Sequence, residues 1–284
     1  MKNILITGVS SGIGEALAKK LLEEGYRVIG SYRILPAHHP WVESYRGRFV
    51  ALEMDVTSET SLQEAFQRMK ELLGQDPLYA LINNAGIAKS APLEKQSMSD
   101  IHQIFDVNVF GAIRVTQLFL PFMKRNGNSG ARIVNISSGA GKLAIPFLGA
   151  YAASKHALEA LSGSLRRELM PFGIDVVLVG PGNVRTPIWD KAQAETQLDT
   201  SEYRQAHRNF FNYMVQDSKH GMTPDQIAVC IHKILAHPKP AVRYAPVAQK
   251  LANWYIPRLL PERWIDRMMF SMMKSEQQKD PTKN

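Results

Sequence analysis

The sequence predicts an α/β protein built on a doubly wound parallel sheet, with helices on both faces. Short apolar strands alternate with helical runs six times along the chain. A glycine-rich turn joins the first strand to the first helix, as in sheets that bind dinucleotides. No Pro/Gly/Ser-rich linker or break in composition divides the 284 residues, so one domain is expected over the whole length.

The elements follow in order. Residues 3–7 form an apolar strand, residues 12–24 carry helical spacing through Ile13, Ala16, Leu17 and Leu21, and Arg27 to Ser31 is strand again. Next come a strand at Phe49 to Met54, a helix from Ser58 to Leu73 and a strand at Leu78 to Asn83. A long helix around Ser99 to Arg125, a strand at Arg132 to Ser137, a helix across Tyr151 to Pro171 and a strand at Ile174 to Val179 complete the pattern. Thr57-Ser58 and Gly173 are helix start and stop signals. In such a sheet ligands sit beyond the carboxyl ends of the strands, and every motif considered below falls on that rim.

Composition narrows the functional classes. Apolar residues make up 45% and charged residues 21%, which suits a large packed core. The one cysteine, Cys230, excludes an internal disulfide and a cysteine metal cluster, and no metal is expected. Thirty-four basic against 26 acidic residues leave a net charge of +8. Without a Lys/Arg block, that charge suits a phosphate-rich cofactor better than nucleic acid, and no nucleic-acid partner is expected. The start superficially resembles a secretory signal, but Gly8, Ser10, Ser11, Gly12, Gly14 and Glu15 break the apolar run. No stretch holds 18 uninterrupted apolar residues, and a cytosolic location is expected.

The cofactor motif is Thr7-Gly8-Val9-Ser10-Ser11-Gly12-Ile13-Gly14, directly after the first strand. Gly8 permits the turn, Gly12 lets backbone approach a pyrophosphate, and Gly14 allows close helix packing, while helix N-terminal amides face phosphate oxygens. The second strand ends in Ser31-Tyr32-Arg33, with no carboxylate where one would hold a ribose 2′-hydroxyl. Arg33 offers a planar fork to a 2′-phosphate instead, so NADP(H) is expected over NAD(H); the competing reading is a solvated arginine. Asp55 and Val56 are placed to meet the adenine, or Asp55 is a helix cap. Asn84, Ala85 and Gly86, after Asn83, let a cofactor lie close to backbone, or form an ordinary Asn/Gly turn.

Ser138 follows the fifth strand, and Tyr151 and Lys155 stand four apart on one helix face. A tyrosine hydroxyl with an ordinary pKa of about 10 is a poor base at neutral pH, and the Lys155 cation is the expected means of lowering it. Tyr151 would exchange a proton with the substrate oxygen while Ser138 stabilises the charge developing there. Asn108, polar amid apolar neighbours, would bend its helix and hold a water relaying protons from Lys155, or is a satisfied buried asparagine.

With the glycine turn, Asn83-Asn84-Ala85-Gly86, Asn108, Ser138 and the Tyr151/Lys155 pair in this order, the chain resembles the single-domain branch of the short-chain dehydrogenase/reductase family over roughly its first 190 residues. The resemblance implies a Rossmann-type fold, homodimers or homotetramers, and catalytic roles for Asn108, Ser138, Tyr151 and Lys155. Pro181, Gly182, Val184 and Thr186 resemble the family segment at the nicotinamide, with Val184 and Thr186 the contacts. Residues 188–222 correspond to the variable substrate lid. Its Trp189, Tyr203, Phe210, Phe211, Tyr213 and Met214, with Leu143, Ile145, Phe147 and Leu148, line an apolar pocket or pack the lid onto the core.

The end of the chain, from His237 to Trp264, looks more loosely like the retinol and hydroxysteroid dehydrogenase branch, which implies a hydrophobic alcohol or carbonyl such as a steroid, retinoid or other lipid. Residues 246–274 alternate apolar side chains with Arg258, Arg263, Arg267 and Lys274. They are expected to lie on a membrane surface, over the substrate mouth or against another subunit. Residues 275–284 are expected to be a disordered tail. Rival functions are an acyl-thioester ketone reductase and a non-catalytic dinucleotide sensor.

Overall fold

The structure, a computed structural model, describes residues 1–125, 130–189, 192 and 202–274. Seven strands form one sheet in the order β3-β2-β1-β4-β5-β6-β7. They are β1 (Asn3–Ile6), β2 (Arg27–Tyr32), β3 (Phe49–Glu53), β4 (Leu78–Asn83), β5 (Arg132–Ile136), β6 (Asp175–Val179) and β7 (Arg243–Tyr244), and every pairing is parallel. The fold is the Rossmann-type doubly wound sheet expected.

Strand alternation divides the core into two layers. Ile4, Ile6, Val28, Ala80 and Ile82 face one side, where they meet Leu17, Leu21 and Leu22 of α1 (Gly12–Glu23). Leu5, Ile29 and Leu81 face the other, against Leu62 and Met69 of α3 (Glu59–Leu73) and Phe119 and Phe122 of α5 (Ala112–Lys124). A period of two along each strand thus supplies both layers, which is why these strands read as nearly unbroken apolar runs. Ser58 caps α3 by accepting from Ser61 N at 3.3 Å.

The seventh strand was not foreseen. Its two residues continue the sheet because Arg243 and Tyr244 register against Leu178 and Val179, a run too short for any period to declare itself. A short helix α2 (Pro40–Ser44) was also missed; Pro40 starts it, and His39 Nδ1 accepts from Trp41 N at 3.2 Å. The long helix expected over Ser99 to Arg125 is three pieces: α4 (Met98–Phe105), a π-helical turn (Asp106–Gly111) and α5. Helix α6 (Gly149–Leu169) begins two residues before Tyr151 and closes two before Pro171.

By length and apolar composition the run Met98–Lys124 passes as a membrane span. Its Val115, Phe119, Phe122 and Met123 are buried in the second core layer, which accounts for their character. The lid carries α7 (Arg204–Lys219), followed by α8 (Pro224–Ala236), whose Ile227 and Ile231 join the first core layer beside α1. A π-helical turn (Leu251–Tyr255), α9 (Ile256–Leu259) and α10 (Glu262–Lys274) end the described chain. Residues 190, 191 and 193–201 of the lid, and the tail at 275–284, lie outside the described residues.

Candidate active site and cofactor cradle

The strand order reverses between β1 and β4, so their carboxyl ends open the crevice in which such sheets take ligands. Gly8 and Gly12 have φ of +70° and +65°, a region costly for any residue with a Cβ. A methyl carbon at Gly14 would stand 2.1 Å from Gly8 O and 2.5 Å from Asn84 Nδ2, so only glycine lets α1 start there. One at Gly12 would lie 3.3 Å from Thr186 Cγ2, and one at Gly86 3.2 Å from Asn108 Oδ1 and 3.6 Å from Lys155 Nζ. These glycines let the first helix, the loop after β4, Thr186 and the Asn108/Lys155 pair approach one another closely along the rim. A dinucleotide fits such a cradle.

Several residues expected to touch a cofactor also tie the loops of the cradle to one another. Thr7 Oγ1 accepts from Asn84 N and Ala85 N, both at 2.9 Å, and Asn84 Nδ2 donates to Thr7 O and Gly8 O at 2.9 and 2.8 Å. Ser31, which the motif reading passed over, accepts from Gly8 N on Oγ at 3.2 Å and from Val9 N on its carbonyl at 3.0 Å. Asn83 Nδ2 donates to Thr116 Oγ1 and Asn135 Oδ1, tying β4 to α5 and β5. Ser10, Ser11 and Ile13 stay at the helix entrance, with Ser11 at the N-cap position of α1.

Arg33 is exposed just past β2. The strand end carries no carboxylate, but Glu15 of α1 lies close enough for its charge to reach it. Burial chiefly, then Glu15, pushes the Tyr32 hydroxyl up to about 12. Asp55 Oδ1 accepts from Thr57 N and Thr57 Oγ1 at 2.8 and 2.7 Å, so it closes the turn before α3 and leaves the cap to Ser58. Val56 is buried, and a methyl carbon at Gly111 would stand 2.7 Å from its Cγ2.

The reacting corner is built from β5 and α6. Ser138 Oγ accepts from Ala140 N at 3.1 Å, which fixes the serine at the start of a 3₁₀ turn (Gly139–Gly141). Ser138 lies near enough to the Tyr151 hydroxyl to act on its pKa. Lys155 Nζ lies 5.8 Å from the Tyr151 ring centre and donates to Ile136 O at 2.9 Å. Burial pushes the Tyr151 hydroxyl above its ordinary value of 10.0, with Ser138 acting the other way. Burial also pulls Lys155 from 10.5 down to about 8. The expected lowering of Tyr151 by Lys155 is therefore overturned in the chain alone, because the cost of burying a phenolate outweighs a cation turned toward a backbone carbonyl.

Asn108 sits in the π-helical turn, as the expected helix distortion requires. Its Nδ2 donates to Ile87 O and Ser154 Oγ at 2.9 and 3.0 Å, and its Oδ1 accepts from Ile87 N at 2.8 Å. Both donors are used internally, so only the remaining Oδ1 lone pair is left for a water.

Pro181 O accepts from Gly139 N at 2.7 Å, and Gly182 N donates to Pro246 O at 3.1 Å. Val184 is buried and bridges to Met222. These contacts brace the serine turn from below.

Glu159, one turn beyond Lys155 on α6, is a buried carboxylate that sequence reasoning missed. It accepts from Ser137 Oγ at 2.9 Å and from Arg243 Nη2 at 2.8 Å, and pairs with Lys142 Nζ at 2.8 Å. Its spacing of four from Lys155 was the available signal. An apolar third core gathers Tyr151, Leu148, Phe210, Phe211 and Met214, with Ile145, Phe147 and Trp189 packed against it. Tyr203 meets it through Phe147 at 6.4 Å between ring centres. Tyr213 does not join, being 45% exposed, and Leu143 is only partly buried outside the cluster.

The family model for short chain dehydrogenases matches residues 2–197. The chain belongs to the short-chain dehydrogenase/reductase family. It is thus an oxidoreductase acting on CH–OH and keto groups, with a dinucleotide-binding fold. An NADPH-dependent 3-dehydrocapnine reductase of Ornithobacterium rhinotracheale is 32% identical, over 96% of this chain and 98% of the relative. A 3-ketodihydrosphingosine reductase of Bacteroides thetaiotaomicron is 32% identical over 87% and 89%. The crystal structure of a short-chain dehydrogenase from Streptomyces avermitilis superposes with a TM-score of 0.76 at 28% identity, covering 95% and 97%.

Proposed function

We propose that this short-chain dehydrogenase/reductase uses NADP(H) to interconvert a hydrophobic alcohol and its ketone or aldehyde, and that it works chiefly as a reductase. The observation that carries the reading is the meeting of Ser138, Tyr151 and Lys155 beside the glycine turn, against an apolar core.

The nicotinamide, when bound, supplies or accepts the hydride. Gly8, Gly12, Ala85 and Gly86 would give it backbone to lie against, with Gly14 holding the first helix close; Ser10, Ser11 and Ile13 would frame the pyrophosphate at the helix entrance, and Val184 and Thr186 would serve as the nicotinamide contacts. Arg33 pairs with a 2′-phosphate; its exposure beyond β2 and the NADPH dependence of one relative support this. Asp55 and Val56 border the adenine.

In reduction the Tyr151 hydroxyl donates its proton to the carbonyl oxygen, and in oxidation it takes that proton back. A raised pKa keeps Tyr151 protonated at neutral pH, which suits the donor role. Ser138 donates to the same substrate oxygen as charge develops. Lys155, still mostly protonated at neutral pH, stabilises the tyrosinate left behind and holds the nicotinamide ribose. Asn108 holds the loop after β4 against α6, and its spare Oδ1 lone pair offers a water beside Lys155 a place.

A hydrophobic substrate follows from the apolar third core around Tyr151 and from relatives named for 3-dehydrocapnine and 3-ketodihydrosphingosine. A cavity of about 190 Å³ between α5 and α6, lined by apolar Ile113, Leu158 and Leu165 and polar Gln117, Asn135 and Glu168 among others, touches none of the reacting groups.

The test is NADPH oxidation against a panel of apolar ketones and aldehydes and one short acyl-thioester ketone. Wild type turning over the apolar members, with Tyr151→Phe slowed by about 10²–10⁴-fold at unchanged NADPH binding, is the expected result. Turnover confined to the thioester would replace the substrate reading, and NADPH binding without any turnover would leave a sensor.

A further inference from the structure

The segment from Lys250 to Lys274 has two unlike faces. On α10, Met269, Met272 and Met273 pack against the third core that holds Tyr151, Phe211 and Met214. Asn209 of α7 pins the end of the helix by donating to Met273 O at 2.9 Å. At about 100° per residue, Arg263, Arg267 and Lys274 fall opposite these methionines, with Trp264 and Phe270 on the two shoulders.

The segment also exposes large apolar side chains: Leu259 is 83% exposed, Leu251 71%, Trp264 61% and Phe270 52%. Isolated apolar residues are ordinary on a surface, but four large exposed ones between Leu251 and Phe270 point to an interaction site.

Its charge selects the partner. The segment holds five basic residues, Lys250, Arg258, Arg263, Arg267 and Lys274, against Glu262 and Asp266. Several cations lie over rings of the segment itself: Arg258 4.6 Å from the Trp254 ring centre, Lys274 4.4 Å from Phe270 and Lys250 5.8 Å from Tyr255. Aromatic bodies with cationic neighbours match the boundary where acyl chains meet anionic headgroups, since the ring and the lysine or arginine stem enter the apolar layer while the charge stays among phosphates. A flat protein partner would not require such an excess of positive charge.

We infer that Lys250 to Lys274 docks on an anionic lipid surface, with Leu251, Leu259, Trp264 and Phe270 inserted at the interface and the five basic side chains among the headgroups. The docking itself does not depend on the chemistry proposed above. It deepens that reading, because the same helix packs its inner methionines against the core that holds Tyr151. A lipid-like substrate would pass from the bilayer under α10 without crossing open water, and the unbranched methionines are the side chains best able to make way for it.

The experiment is co-sedimentation of the full chain with vesicles of phosphatidylglycerol mixed with phosphatidylcholine, beside vesicles of phosphatidylcholine alone. Two double variants accompany it, Leu259→Glu with Trp264→Glu and Arg263→Glu with Arg267→Glu. Binding to the anionic vesicles that weakens with added salt, and falls at least about tenfold in each variant, is expected. Unchanged thermal unfolding and unchanged turnover of a short soluble ketone show that the variants are folded. No binding of wild type to anionic vesicles, or equal binding by the variants, overturns the proposal. Variants that dissociate an oligomer in sedimentation velocity while still binding vesicles as wild type overturn it too, and assign the face to a second copy of the chain.

Discussion

Replacing Glu159 by glutamine removes one negative charge from a buried junction without changing its size. The carboxylate there meets Ser137, Lys142 and Arg243 at 2.8 to 2.9 Å. Burial works against its charge, but the hydrogen bonds from Arg243, Lys142 and Ser137 prevail and hold its pKa below the ordinary 4.5. Removing one partner of a buried ion pair costs about 3–5 kcal/mol, because the other charge is left without compensation. Two features argue for the lower end. Lys142 is 37% exposed and can turn to water, and Arg243 keeps the face of Trp254, 4.4 Å away. Against this, Arg243 Nη1 already lacks a hydrogen-bond partner among the described residues, so the guanidinium depends on Glu159 for its hydrogen bonds there.

The expected loss is about 3 kcal/mol, or about 6–12 °C in Tm at the 2–4 °C per kcal/mol typical of chains near this length. Urea and thermal unfolding followed by circular dichroism measure it. Adding Arg243→Met to Glu159→Gln should recover part of the loss by removing the stranded cation. The sign with pH follows from the depressed value. Stability from this carboxylate is complete above the unfolded glutamate range and is lost as pH falls through the lower folded value, so the gap between wild type and Glu159→Gln closes below pH 4.5. A variant within about 0.5 kcal/mol of wild type at pH 7, the range of an ordinary surface substitution, would refute the reasoning.

Lys155 has a folded pKa of about 8 against an ordinary 10.5, so between these values the unfolded chain binds the extra proton and wild type gains stability as pH rises. Denaturation of wild type beside Lys155→Met across that window should show the gain only in wild type; parallel curves would contradict it. Arg33→Asp should abolish or reverse a preference for NADPH over NADH in kcat/KM, and equal kinetics of wild type with both cofactors would end the Arg33 assignment. Gly14→Ala places a carbon 2.1 Å from Gly8 O and should abolish NADPH binding measured by fluorescence titration. Gly25→Ala, at φ +83° in open space, should cost only about 1 kcal/mol and leave binding intact.

The alternation of strand and helix, the glycine turn and the spacing of Tyr151 and Lys155 were legible because each is a local pattern. A period, a required φ or a helix face is written in adjacent residues. Ile4, Leu5 and Ile6 could be read as strand, and the fold then assigned them to opposite core layers by their alternation. Asn108 could be read as a helix irregularity, and it proved to lie in a π-helical turn.

What the sequence could not specify depends on partners far away in the chain. Glu159 reaches Arg243 across 84 residues, and Asn84 reaches Gly8 across 76. Nothing local distinguishes these side chains from solvated ones. The direction of the Tyr151 pKa belongs to the same class, since it is set by how completely neighbouring elements bury the hydroxyl. So does the division of the C-terminal methionines and aromatics between the core around Tyr151 and the surface. Local preference fixes elements and motifs, whereas burial, the field at a titrating group and the meeting of remote side chains arise only when the elements pack.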